Sequence, residues 1–319
     1  MTSSTPFQAI EAAEKRIRPF VRETYLEASP YLSEAVGADV HVKLEHLQHT
    51  GSFKLRGAFN KILALGDAAK TTPVITASSG NHGAAVSYAL NQIGGRGIVF
   101  VPENASEAKL ATIRHYGAEV RFHGTDTVQT EEHARAFAEA ENGVYVPPYN
   151  DIDVIGGQGT VAVEILRQLP NVGTVFASVG GGGLISGIAS YLKAKAPNVK
   201  VIGCSPEASR VMAASVAADR VLDLESDDTL SDGTAGGLEP DTITFEICRD
   251  LVDAWVDVSE DEIAKAMRMF VEQHHMLVEG AAGVAIAAAL KADRNLIDGP
   301  VVIVSCGRNV STSVLKRVL

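Results

Sequence analysis

Lys54 sits in the stretch Ser52-Phe53-Lys54-Leu55-Arg56-Gly57-Ala58, where a primary amine could serve as nucleophile or base. Two other stretches give it company. Ser78-Ser79-Gly80-Asn81-His82-Gly83 offers hydroxyls and backbone donors. Ser178-Val179-Gly180-Gly181-Gly182-Gly183-Leu184 sets four glycines in a row. Glycines let a backbone approach a phosphate closely, and a helix start offers N–H groups without partners. A plain flexible turn is the alternative, but a turn rarely needs four consecutive glycines. The run is no P-loop, since no Gly-Lys-Ser/Thr follows, and no dinucleotide fingerprint with a well-placed acid. Amine, hydroxyl-rich loop and phosphate cup together point to a phosphate-bearing aldehyde that condenses with lysine. Pyridoxal 5′-phosphate (PLP) is the candidate.

The other candidates carry plainer alternatives. Ser79 or Asn81 could simply cap a helix, or the loop could grip a carboxylate with the helix dipole helping. His82 on a buried helix would most simply be a structural hydrogen-bond partner. Cys306 is either a small buried thiol or a thiol at the C-terminal sheet edge, facing a heteroaromatic nitrogen. Glu279, Asp232, His274 and His275 rank lower. The two adjacent histidines point to different helix faces and make poor joint metal ligands. Trp255 reads as core.

The elements that must position these groups follow from periodicity. Residues 8–20 read as an amphipathic helix and 40–44 as a strand. A helix then starts near Ser52 as N-cap, placing Lys54 in its first turn, at the positive end of the dipole. That setting favours a neutral amine or an imine. Strands at 74–77, 97–101 and 118–122 alternate with helices at 81–92, 106–116 and 130–140. Pro147-Pro148-Tyr149-Asn150 reads as a lobe boundary. A second series comes after it: helix 159–169, strand 174–178, helix 184–196 and strand 200–204. Strand 255–258, helices 260–274 and 279–290 and strand 301–305 complete it, with residues 206–240 less regular. This alternation predicts an α/β protein with parallel sheets covered by helices.

Bulk properties narrow the class. The 319 residues are 46% hydrophobic and carry net charge −11, from 28 basic and 39 acidic side chains. That balance argues against nucleic acid or an acidic membrane as partner. Three cysteines without C-x-x-C spacing suggest no disulfide framework and a reducing compartment. The first residues show no apolar signal core, and residues 281–290 are too short to span a bilayer. The expectation is a soluble, cytoplasmic protein with a small-molecule ligand.

Together SFKLRGA, SSGNHG, GGGGL and the terminal S-C-G-R-N resemble the fold type II PLP enzymes, most closely the serine/threonine dehydratase and serine racemase branch. The resemblance runs from about residue 10 to the end. It implies a tryptophan synthase β-like fold: two open parallel-sheet α/β lobes with the cofactor between them. Residues 1–48 with 148–319 would form the larger, PLP-binding lobe, and 49–147 the smaller lobe with the substrate loop. By the same resemblance Lys54 forms the imine and Phe53 lies against the ring. Asn81 bonds the ring hydroxyl. Gly180, Gly181, Gly182, Gly183 and Leu184 hold the phosphate, and Cys306 faces the pyridine nitrogen. Ser78, Ser79, Gly80, Asn81 and His82 receive the substrate carboxylate, Ser79 being the residue that acts opposite the lysine in racemases. A homodimer is implied as well.

A neutral partner such as Cys306 leaves the ring a weaker electron sink, which suits expulsion of a β-hydroxyl. The implied activity is a lyase reaction: Lys54 removes the Cα proton, the hydroxyl leaves, and hydrolysis yields a 2-oxo acid and ammonia. L-threonine or L-serine is the default substrate. The chain departs from the family in places. Many relatives bind a divalent cation (Mg, Ca or Mn) through Glu-Pro plus a downstream acid; here those positions read Ser205-Pro206 and Val211, with Glu207 shifted. The sequence leaves a metal open. Tyr149 stands where dehydratases tend to carry phenylalanine and racemases asparagine, which favours elimination. Alternatives are a serine racemase with side elimination, a dehydratase of phenylserine or 3-hydroxyaspartate, and a non-catalytic binding protein.

Overall fold

A computed structural model describes residues 5–125 and 127–319. Residues 1–4 of the expected larger lobe and Asp126 of the smaller lie outside the described residues. Among the described residues ten strands fall into two sheets: β1 (Leu26–Ala28), β2 (Val40–Lys43), β3 (Val74–Ala77), β4 (Gly97–Val101), β5 (Glu119–Phe122), β6 (Val144–Tyr145), β7 (Thr174–Ser178), β8 (Lys200–Pro206), β9 (Ala254–Val258) and β10 (Val301–Val304). The six-stranded sheet has the order β1-β2-β10-β7-β8-β9, and the four-stranded sheet β5-β4-β3-β6. Every pairing is parallel except β1 with β2.

The central strands are buried on both faces, as parallel strands covered by helices must be. Every residue of β3, β7 and β10 is buried. The small-residue helix Gly280–Lys291 packs on β7, β8, β9 and β10, with ten buried residues from Gly280 to Ala289. Its alanines and glycine allow close approach to the sheet.

The expected elements appear with shifted ends where capping decides. The first helix runs Pro6–Ile17 and opens on a capping box between Thr5 and Gln8. Ser52 is not the N-cap of the Lys54 helix. That helix spans Lys54–Ala64 with Phe53 as cap residue and no capping side chain. Ser52 instead forms an isolated antiparallel bridge with Gly307. The helix expected at 159–169 begins at Ile152, because Asp151 accepts from the N–H groups of Asp153 and Val154. Its Gly157 and Gly159 read locally as breakers. A Cβ on Gly157 would lie 2.4 Å from the Arg56 carbonyl, and one on Gly159 2.5 Å from Ile10. Both glycines serve helix contact. Sequence periodicity missed β1, β6 and the short helices Pro30–Val36, Val211–Ala217, Ile243–Leu251 and Thr312–Val318.

Behind Lys54 lies a buried charge cluster. Arg56, Lys43, Glu45 and Glu164 have no exposed side-chain surface. Arg56 donates to Glu45 from Nε (2.7 Å) and Nη2 (2.8 Å), and to Glu164 from Nη1 (2.7 Å) and Nη2 (2.8 Å). Lys43 Nζ donates to Glu164 at 2.6 Å. The cluster joins β2, the Lys54–Ala64 helix and the Ile152–Gln168 helix.

Candidate active site

Three chain segments leave the C-terminal ends of parallel strands and meet. The serine-rich loop follows β3, the glycine run follows β7, and Cys306 follows β10. Ser178 Oγ donates to Cys306 Sγ at 3.4 Å, and the Phe53 N–H donates to the Cys306 carbonyl at 3.0 Å. Phe53 and Lys54 are thereby tied to the end of β10. Lys54 Nζ donates to the Pro148 carbonyl at 2.9 Å and stands 5.4 Å from the Phe53 ring centre. Burial pulls the Lys54 pKa down to about 8, while the Glu131 and Glu279 carboxylates oppose the shift. Burial pushes the Cys306 thiol far up, so it stays protonated.

The four glycines are dictated by contact. A Cβ on Gly180 would meet the Thr234 backbone at 2.8 Å, one on Gly181 the Tyr149 ring at 2.4 Å, and one on Gly183 the Tyr149 Cβ at 3.0 Å. Gly182 is left-handed (φ +83°) and caps the helix Gly183–Lys195 without a side-chain bond. No side chain caps its first N–H groups, the setting that binds anions. Leu184 turns its side chain into the core at 4% exposure, leaving its backbone to the site. A lysine amine, a glycine cradle at a helix start and a neutral thiol fit PLP.

At the serine-rich loop, neither Ser79 nor Asn81 caps the helix Asn81–Ile93; the cap residue is Gly80, with no side-chain bond. Ser78 Oγ accepts the Gly80 N–H at 3.1 Å and shapes the turn. Gly83 is obligatory, since a Cβ there would stand 2.1 Å from the Ser78 carbonyl. His82 is buried, and its Nε2 pairs with the Val146 carbonyl at 3.0 Å. Burial, helped by the Lys54 charge, drops its pKa to about 3, so the ring is neutral. Nε2 is committed to Val146, while Nδ1 is buried without a hydrogen-bond partner among the described residues.

Asn81 reaches across to the large sheet. Its Nδ2 donates to Glu279 at 2.8 and 3.1 Å, while its Oδ1 accepts from Asn309 at 2.6 Å. Glu279, ranked low from sequence, is thus the acid at the centre of this face. It also accepts the Asn309 N–H at 2.9 Å, and burial raises its pKa to about 7. Its sequence signal was its place just before the small-residue helix. Asp232 pairs with Lys109 at 2.8 Å. His274 stacks on Phe270 and pairs with Ser29, and His275 ends the helix Glu260–His274 with φ 55°. Trp255 is half-buried and packs on Gly203.

A second cluster escaped the sequence reading. Arg135 lies 2.8 Å from Glu239 and 4.4 Å from the Tyr145 ring centre. Asn150 Nδ2 donates to Glu239 at 2.9 Å, and Tyr149 Oη accepts the Glu239 N–H at 3.0 Å. Glu131, one turn before Arg135, is raised to about 7 by burial and by Glu239. Lys54 lies within its electrostatic reach. Among the described residues no cluster of three or more His, Cys, Asp or Glu is placed to hold a metal, and no helix is long and apolar enough to cross a membrane.

A profile described as pyridoxal-phosphate dependent enzyme matches residues 17–307. The chain is 38% identical over 313 residues to the L-threonine ammonia-lyase of Thermotoga maritima, covering 97% of this chain and 77% of that one. It is 37% identical over 308 residues to the catabolic L-threonine dehydratase of Escherichia coli K12, covering 96% and 93%. The structure of maize serine racemase superposes with TM-score 0.92 at 33% identity, covering 98% and 95%. With the lysine, the glycine cradle and the two sheets in this arrangement, the chain belongs to the fold type II PLP-dependent enzymes, in the serine/threonine dehydratase and serine racemase family.

Proposed function

We propose that this chain is an ammonia-lyase that converts L-threonine or L-serine to a 2-oxo acid and ammonia. The observation that carries the reading is Lys54: a buried amine whose neighbour Phe53 is tied to the backbone of Cys306, a thiol that burial keeps neutral. The bacterial relatives named for threonine support the substrate.

Lys54 would hold the cofactor aldehyde carbon, with Phe53 against the ring. The backbone of Gly180–Gly183 and Leu184 would hold the phosphate, Asn81 the ring hydroxyl, and Cys306 the ring nitrogen. Bound PLP supplies an electron sink for charge at Cα. A thiol that stays neutral does not enforce a proton on that nitrogen, which favours early loss of the β-hydroxyl. Lys54 Nζ, unprotonated above about pH 8, is the base that takes the Cα proton. The open N–H groups at the start of the Asn81–Ile93 helix, with Ser78, Ser79, Gly80 and the His82 backbone, would receive the carboxylate. Tyr149, wedged against Gly181, bounds the pocket beside them.

The test is the visible spectrum of the purified protein before and after L-threonine, with 2-oxobutyrate assayed in the same cuvette. A shifting imine band with accumulating oxo acid is expected. No band with PLP supplied would sink the reading. A second reading, serine racemase with side elimination, rests on the half-buried Ser79, whose hydroxyl makes no hydrogen bond among the described residues, and on the likeness to maize serine racemase. There Ser79→Ala should abolish D-serine formation while sparing oxo acid. We read 49–147 as the small lobe, and the enzyme as a cytoplasmic homodimer. Size-exclusion chromatography with light scattering checks the dimer.

A further inference from the structure

The end of β8 lacks the donors a divalent cation needs. Hard cations take several oxygen ligands, carboxylates above all. The positions where the resemblance implies such acids hold Ser205 and Val211, and Val211 is apolar and buried. Ser205 stands in register with Asp257 on β9, so their side chains share one sheet face. Ser205 Oγ and Asp257 Oδ1 are buried without hydrogen-bond partners. The other Asp257 oxygen lies 2.9 Å from Arg210 Nη1. Glu207 and Glu262 face Lys291 at 3.4 and 2.9 Å. Each carboxylate here already meets a positive side chain, and two such charges repel a dication. The residues do not fit a divalent metal.

The helix after β8 gives this corner a role. Arg210 is the cap residue of the helix Val211–Ala217, and Met212 in that helix backs Gly182: a Cβ on Gly182 would lie 2.9 Å from the Met212 methyl. Gly182 is the left-handed residue of the glycine run. We propose that Arg210 is a positioning residue that takes over the tethering a divalent cation would provide: its bond to Asp257 fixes the helix behind Gly182, and the chain needs no divalent cation there. Only the cofactor arm of the test rests on the PLP reading.

Thermal melting of the full chain, with and without PLP, is compared in EDTA and in about 1 mM Mg, Ca or Mn. The midpoint should stay within about 1 °C, and a saturable rise of about 3 °C or more with any ion overturns the proposal. Arg210→Ala should lower the midpoint by about 1–2 °C and weaken PLP binding, read from cofactor absorbance, by about twofold or more. Arg210→Lys should recover part of both, because it keeps the charge without the fork. Adding Asp257→Asn to Arg210→Ala should cost little more than either change alone. Unchanged melting in Arg210→Ala, or fully additive losses, overturns the tether. If the wild type binds no PLP, the cofactor reading fails and the melting arm alone decides.

Discussion

At the scale of single residues, the proposed reaction turns on Lys54 and its environment. Only the neutral amine attacks an aldehyde. Its pKa, brought to about 8 by burial, places the change in reactivity near neutral pH. The rate at which PLP reconstitutes the cofactor-free protein should therefore rise with pH and level off above about 8. An unperturbed lysine would still be rising at about pH 10. Stopped-flow absorbance of the imine band reads this directly, and a midpoint near 10 would refute the buried-amine account. Lys54→Ala should lower turnover of L-threonine by about a thousandfold or more, since nucleophile and base vanish together. Melting should show the fold intact. Lys54 and the glycine run were legible because each is contiguous and its residue types have few other uses. Glu279 was not. Its role depends on Asn81, 198 positions away, and on burial that a lone glutamate does not announce.

At the scale of elements, packing overrode local grammar in the Ile152–Gln168 helix. Its glycines look like breakers, yet they let it lie against the Lys54–Ala64 helix, with Arg56 reaching over to Glu164. Arg56→Ala would leave Glu45 and Glu164 buried and partly unpaired. A loss of about 3–5 kcal/mol is expected, measured by urea unfolding. Arg16→Ala on the first helix, whose partner Asn60 is uncharged, should cost far less. The strand order of the sheets was beyond the sequence, because parallel pairing joins segments far apart, β2 with β10 among them. That β3, β4, β7 and β10 exist at all was legible from their short apolar runs. The Arg135 cluster carries a second test at this scale. Glu131 has a folded pKa near 7 against an ordinary 4.5, so the native state binds its proton more tightly than the unfolded chain. Its contribution to stability is then lost as pH rises from about 4.5 through 7. Glu131→Gln should raise the melting temperature by about 2 °C or more at pH 8 and change it little at pH 5. Equal effects at both values would mean that Glu131 is ionised throughout.

At the scale of the whole molecule, ion pairs near the surface add to the Asn81–Glu279 and Asn81–Asn309 bonds that join the two sheets across the site. Arg135–Glu239 and Lys109–Asp232 each link the region of the four-stranded sheet to the segment 231–242 beside the glycine run. Both pairs are partly solvent-exposed, so each contributes about 1 kcal/mol or less and is screened by salt. Weak pairs of this kind suit a boundary where, in the proposed reading, a substrate loop faces a cofactor cradle: the serine-rich loop follows a strand of one sheet and the glycine run a strand of the other. If these pairs hold the substrate-competent arrangement, weakening them should raise KM more than it lowers kcat. Arg135→Ala should raise KM for L-threonine about two- to fivefold with kcat nearly kept, in line with a coupling of that size. Raising ionic strength to about 0.5 M should raise the wild-type KM in the same sense and do less to the variant, whose pair is already gone. A KM as salt-sensitive in the variant as in the wild type would place the ionic-strength effect elsewhere, on the carboxylate-binding loop itself. The two pairs would then be ordinary surface contacts.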